Sequence, residues 1–124
     1  MVHISNIFIP MRTLHDIGLT SSDLQAIQEA ARILKELFPV VEIRLFGSKA
    51  SGKDDSQSDI DLLVLTRERL SWRERNFMTD SLYDTQKKFS VILSLLVVSS
   101  HDWSTGLISS LPIHDAIEEE GIAA

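Results

Sequence analysis

Two aspartates, Asp59 and Asp61, open an apolar run that extends to Leu65. A run this rich in Leu and Val reads as a strand, and residues two apart on a strand project to the same side. The two carboxylates therefore share a face. Carboxylates that close repel each other and raise each other's pKa unless a cation neutralises them. Magnesium is suited to this: it is hard, prefers oxygen, and usually combines one or two carboxylates with phosphate oxygens. Manganese would suit the same oxygens. Gly47 and Ser48 lie upstream. A glycine lets backbone N–H groups approach phosphate closely, and a serine hydroxyl adds a donor. A helical turn starting at Lys49 would aim its positive end at the same place. Lys49 and Lys53 could add charge, although lysines in a polar loop are ordinarily just solvated. The chemistry implied is the binding of a metal–triphosphate complex.

The elements that must hold these residues can be read around them. Ser22 and Gln25 have the form of a capping box, which predicts a helix start. Leu24, Ile27, Ala31, Leu34 and Phe38 then recur at helical spacing, and Pro39 closes the helix. Val40 to Phe46 reads as a strand, with Val41, Ile43 and Leu45 alternating against Glu42, Arg44 and Phe46. Lys49 to Gln57 is a polar loop or one helical turn. Ser71 and Glu74 form a second capping box, opening a helix to about Lys88 with Phe77, Met78, Leu82 and Tyr83 inward. Val91 to Val98 is apolar on both faces and predicts a central strand. Ser99 or Ser100 caps a short helix carrying Trp103, Leu107 and Ile108. Pro112 suits the first turn of a last helix that Gly121 ends. Trp72, Phe77, Trp103 and Ile108 are expected in the core, His114 at the surface, and Glu118 to Glu120 on a solvated helix face. Strands alternating with helices predict an α/β protein of α+β type, a small mixed sheet flanked by helices.

With 124 residues, one domain over 21–124 is the natural reading, preceded by an arm, 1–20, of unknown role. That arm could be an edge strand, an ordered extension or a partner-binding tail; its His3 and His15 lack companion ligands. The chain has no cysteine, which rules out disulfides and cysteine–zinc sites and fits a reducing cytoplasm. Its net charge of −6 argues against an extended nucleic-acid surface. No signal peptide is apparent, and no apolar stretch is long enough to cross a membrane.

Gly-Ser, ten residues, then Asp-X-Asp resembles the signature of the polymerase-β-like nucleotidyltransferase superfamily. Ser58 before Asp59, and the run Gly47-Ser48-Lys49-Ala50-Ser51-Gly52, are similar to the small stand-alone prokaryotic members. The order of elements agrees, and the likeness covers roughly residues 22–98. It implies a nucleotidyltransferase fold and transfer of a nucleoside monophosphate, AMP from ATP, to an acceptor hydroxyl. Asp59 and Asp61 would hold magnesium, while Gly47, Ser48, Lys49 and Lys53 would hold the triphosphate. It also implies a HEPN-type helical partner protein in a toxin–antitoxin-like pair, since a chain this short has no room for an acceptor domain. A homo-oligomer is a further option.

The pattern departs from the family at one point. Members that transfer nucleotides carry a third carboxylate on the neighbouring strand, which helps bind metal and can take the acceptor's proton. Here that strand, Ser90 to Val97, has neither Asp nor Glu, and Ser90 or Ser94 holds the expected position. Three readings stay open: slow transfer through metal and positioning; substitution by His101 or Asp102; or a catalytically inactive module that binds nucleotide or a partner.

Overall fold

A computed structural model describes residues 12–52 and 58–124. Four strands form one mixed sheet in the order β3-β2-β1-β4. β1 (Val40–Phe46) pairs antiparallel with both β2 (Ile60–Thr66) and β4 (Ile122–Ala123), whereas β3 (Leu93–Ser99) runs parallel to β2. The α+β architecture expected from the pattern is present, with helices on both faces of the sheet.

The longest helix, α1 (Ser21–Leu37), covers one face. Its Ala26, Ile27, Ala30, Ala31 and Leu34 bury a continuous stripe, the spacing a 3.6-residue period requires. They meet Ile43 and Leu45 of β1 and Ile60, Leu62 and Val64 of β2 in the main core. Met78 of α3 (Trp72–Ser81) and Leu82 complete it. α4 (Tyr83–Phe89) then leads into β3. The opposite face is smaller: Leu63 and Leu65 pack on Trp103 of α5 (Ser100–Thr105) and Ile117 of α6 (Pro112–Glu120).

Several local expectations hold. Ser71 and Glu74 exchange both capping bonds, at 3.0 and 3.1 Å. Ser99 is the residue that caps α5, accepting from the Asp102 N–H at 3.1 Å, and Pro112 opens α6. Others move. α1 is capped by Thr20, not Ser22: Thr20 Oγ1 accepts from the Asp23 N–H at 3.1 Å, and the Ser22 hydroxyl donates to the Phe89 carbonyl at 3.3 Å. The helix expected over 71–88 is two helices, broken at Leu82. Leu14 is buried in the main core, and Ile17 and Leu19 pack against that core. Residues 1–11 lie outside the described residues.

Among the described residues β3 is an edge strand, not a central one. Its apolar run reports helices over both faces, not a strand on either side: Leu93, Leu95 and Val97 join the main core, and Leu96 and Val98 the smaller one. A register shift between Val40 and Glu42 adds a residue to β1 and turns Val41 outward, where it is 55% exposed, because a bulge breaks the period of two. Trp72, Phe77 and Tyr83 are 65%, 56% and 61% exposed. On α3 only Met78 is buried, and a neighbour one position away is turned by about 100° on the helix. Phe77 instead rests on Phe38, with ring centroids 5.4 Å apart, and Arg73 lies 5.8 Å above Trp72.

Candidate active site

The site is built where β1 ends and β2 begins. Phe46, the last residue of β1, is paired with Asp61, so the turn leaving β1 passes the Asp61 carboxylate. Gly47 makes that passage possible in two ways. Its backbone has φ 75° and ψ −155°, a conformation costly for any residue with a side chain. A Cβ at Gly47 would also collide with Asp61 Oδ2. The short helix α2 (Ser48–Ser51) starts at once, and the N–H groups of Ala50 and Ser51 fold back to the Gly47 carbonyl at 3.1 Å each.

Asp61 is half-buried within β2, and Asp59 is exposed just before it. Ile60 between them is fully buried in the main core, which leaves Asp61 on the other face with Leu63 and Leu65. Burial, and secondarily the charge of Asp59, hold the Asp61 pKa above the ordinary carboxylate value. The Asp61 carboxylate is thus harder to ionise than a free one, and a nearby cation would relieve it. Among the described residues no group of three or more His, Cys, Asp or Glu gathers as a metal site. Two carboxylates facing open space fit magnesium in its usual mode, completed by phosphate oxygens.

Lys49 is not solvated. Its side chain is 3% exposed, and its ammonium lies 2.8 Å from Asp23 Oδ2, near the start of α1. The ion pair ties α2 to α1, so Lys49 anchors the turn from behind, a role that nothing in the local pattern signals because Asp23 is 26 residues away. Lys53 lies outside the described residues.

The register resolves the third-carboxylate position. Asp61 is paired with Ser94, so Ser94, which is exposed, stands where an acidic side chain would face the dyad. Ser90 is displaced from it as the left-handed cap of α4, with φ 53°. His101 and Asp102 do not substitute. They follow β3, and parallel pairing puts them beyond the Thr66 end of β2, away from Asp59 and Asp61. Asp102 is held there by Arg69 at 2.9 Å, which, with a Ser99 hydrogen bond, keeps its pKa low.

Two cavities flank the dyad. One, of about 370 Å³, runs between Asp59, Ser58, Ser22 and the Phe89–Ile92 segment. The other, of about 260 Å³, opens beside Gly47 between Phe46, Ser51 and α6. Elsewhere on the same sheet face, Glu118 is no solvated bystander. It accepts from Trp103 Nε1 at 2.8 Å and pairs with Arg44 at 2.6 Å. His114 is half-buried against Trp103, ring centroids 4.4 Å apart. No helix among the described residues is long and apolar enough to cross a membrane.

Comparison with known proteins agrees with this fold. A protein of Sulfolobus solfataricus assigned as a nucleotidyltransferase superposes with a TM-score of 0.52 at 16% identity, covering 86% of this chain and 89% of that one. A toxin–antitoxin structure with AMP-PNP gives 0.54 at 19% identity, covering 84% and 72%. A mutant of the toxin–antitoxin MntA-HpeT gives 0.55 at 20%, covering 79% and 70%. At these identities the likeness is one of fold. Comparison with the curated proteins finds no match. The model of the nucleotidyltransferase domain family matches residues 27–120, a span that contains the Gly47–Ser48 turn, both aspartates and the whole sheet except β4, and the chain therefore belongs to the nucleotidyltransferase domain family.

Proposed function

We propose that this chain transfers AMP from ATP to an acceptor hydroxyl on a partner protein, as one half of a toxin–antitoxin-like pair. The observation that carries the reading is the fit of Gly47 against the Asp61 carboxylate, which joins a phosphate-binding turn to a metal-binding dyad with no side chain between them. Gly47 and Ser48 would hold the β- and γ-phosphates through backbone N–H groups and the serine hydroxyl. Asp59 and Asp61 would hold magnesium, which when bound supplies charge neutralisation at the α-phosphate. Lys49, locked to Asp23, keeps the turn in place. The acceptor oxygen forms a bond to the α-phosphorus while the bond to the bridging oxygen breaks, releasing pyrophosphate. In-line displacement requires the acceptor to approach opposite the leaving pyrophosphate, and the cleft beside Asp59 and Ser58 is the proposed entry. The acceptor's proton passes to water, because Ser94 is no base at neutral pH. Placement of the ligands then does most of the catalytic work. The solved toxin–antitoxin neighbours favour a two-component role, and a HEPN-type helical protein is the partner proposed.

A second reading, a silent nucleotide- or partner-binding module, is favoured by one observation: the serine paired with Asp61. Calorimetric titration of ATP with and without magnesium tests the first. Magnesium-dependent binding that disappears in Asp59→Asn plus Asp61→Asn is the expected result, and no binding by the unaltered protein at millimolar ATP would sink it. Transfer assays on Ser94→Asp separate the two readings. Restoring a carboxylate should raise turnover by about 100-fold or more, the usual scale of general-base assistance. A silent module would stay silent.

A further inference from the structure

The second cavity beside the dyad has a composition that the phosphate chemistry does not use. It is walled by Phe46 and Gly47 on one side and by one face of α6 on the other: Ile113, Ala116, Ile117 and Glu120. Those four positions are spaced 3, 1 and 3 residues apart, a single helical stripe. Only Ile117 is needed for the core, at 1% exposed, whereas Ile113 is 40% exposed. Glu120 brings the one ionisable side chain in the lining, and its carboxylate has no hydrogen-bond partner among the described residues. It also sits in the last turn of its helix, where an anion is disfavoured. Arg12 ties the two walls together by donating to the Ala50 carbonyl at 3.3 Å and the Glu120 carbonyl at 2.8 Å.

We infer that this cavity receives the nucleobase of the donor nucleotide and that Glu120 selects bases carrying an exocyclic amine. The inference rests on the nucleotide-transfer reading of the same site. Gly47 carries it: the residue whose missing side chain makes room for the Asp61 carboxylate also lines the cavity, so a ligand with its phosphates at the turn would be continuous with an apolar slot of about 260 Å³. Phe46 and Ile113 offer apolar surface to a planar ring. A carboxylate accepts from the amine of adenine, cytosine or guanine, and repels the carbonyl that uracil presents instead. Ile113, exposed without an intramolecular reason, then has an occupant.

The test is magnesium-dependent binding of ATP, UTP and inorganic tripolyphosphate to the full chain and to Ala116→Phe and Glu120→Gln. Tripolyphosphate reads the turn and the dyad alone. ATP should bind at least about tenfold tighter than tripolyphosphate and UTP. Ala116→Phe, filling the slot from an exposed position, should erase the ATP advantage while leaving tripolyphosphate binding and the melting temperature unchanged. Glu120→Gln, which can donate as well as accept, should narrow the gap between ATP and UTP. ATP binding no tighter than tripolyphosphate, or undiminished in Ala116→Phe, would overturn the inference and leave the phosphate site standing. Failure of every ligand to bind would overturn both.

Discussion

One face of the sheet carries two acidic clusters, and they are treated in opposite ways. Around Arg44, Glu42 and Glu118 are clasped by the guanidinium, and Glu118 also accepts from Trp103. The Trp103 hydrogen bond, then Arg44, hold the Glu118 pKa below its ordinary value. At the start of β2, Asp59 and Asp61 have no such clasp among the described residues, and the Asp61 pKa is raised, chiefly by burial. The same residue chemistry thus stabilises one region and burdens the other. Such a burden, kept beside a glycine in a conformation that other residues rarely adopt, is what the proposed ligand site would require.

The largest break in this comparison should come from Gly47→Ala. It forces a side chain into a positive-φ position and into the Asp61 carboxylate. A cost of about 1–3 kcal/mol in urea unfolding is expected, together with about a 100-fold loss of ATP affinity from the displaced turn. Glu118→Gln breaks the satisfied cluster instead. Because the Glu118 side chain is 43% exposed and partly screened, the cost should stay within about 1 kcal/mol. Its lowered pKa means the stabilisation is present above the unfolded-state value and is lost as pH falls through the folded one, so variant and wild type should converge in acid. Nucleotide binding should not change.

Asp61→Asn sharpens the contrast by moving the other way. A raised folded-state pKa costs stability once the group must ionise, so without metal the variant should melt slightly higher than wild type at neutral pH. The difference should shrink as pH falls through the raised pKa and vanish below the unfolded value of about 3.9. A variant that melts lower at neutral pH would remove the unrelieved repulsion from the account. Smallest of all is Asp102→Asn. That carboxylate and its exposed Arg69 partner lie away from the dyad, and neither the melting temperature nor nucleotide binding should respond.

The dyad and the Gly-Ser turn could be read from the chain because both depend on local geometry: residues two apart on a strand, and a glycine where a side chain has no room. The register that seats Ser94 beside Asp61 followed from strand pairing. Lateral position did not. β3 looked central because helices cover both its faces, and no residue within it distinguishes a covering helix from a neighbouring strand. The Val41 bulge was hidden by an alternation that fits Ile43 and Leu45 perfectly well. The Lys49–Asp23 pair was hidden by distance along the chain, and Glu118 by lying in a run of like charges whose partner, Arg44, is on another element. Local periodicity reports local constraints, and each of these is set by what arrives from elsewhere.

The buried tether between Lys49 and Asp23 also sets a clock. A polar turn next to a binding site would ordinarily fray, exchanging its amide protons in brief local openings. Here the turn is held to α1, the helix that contributes more buried residues to the main core than any other element. The Ala50 and Ser51 amides, bonded to the Gly47 carbonyl, should therefore exchange with deuterium about as slowly as the middle of α1, so that the phosphate turn opens only when that helix does.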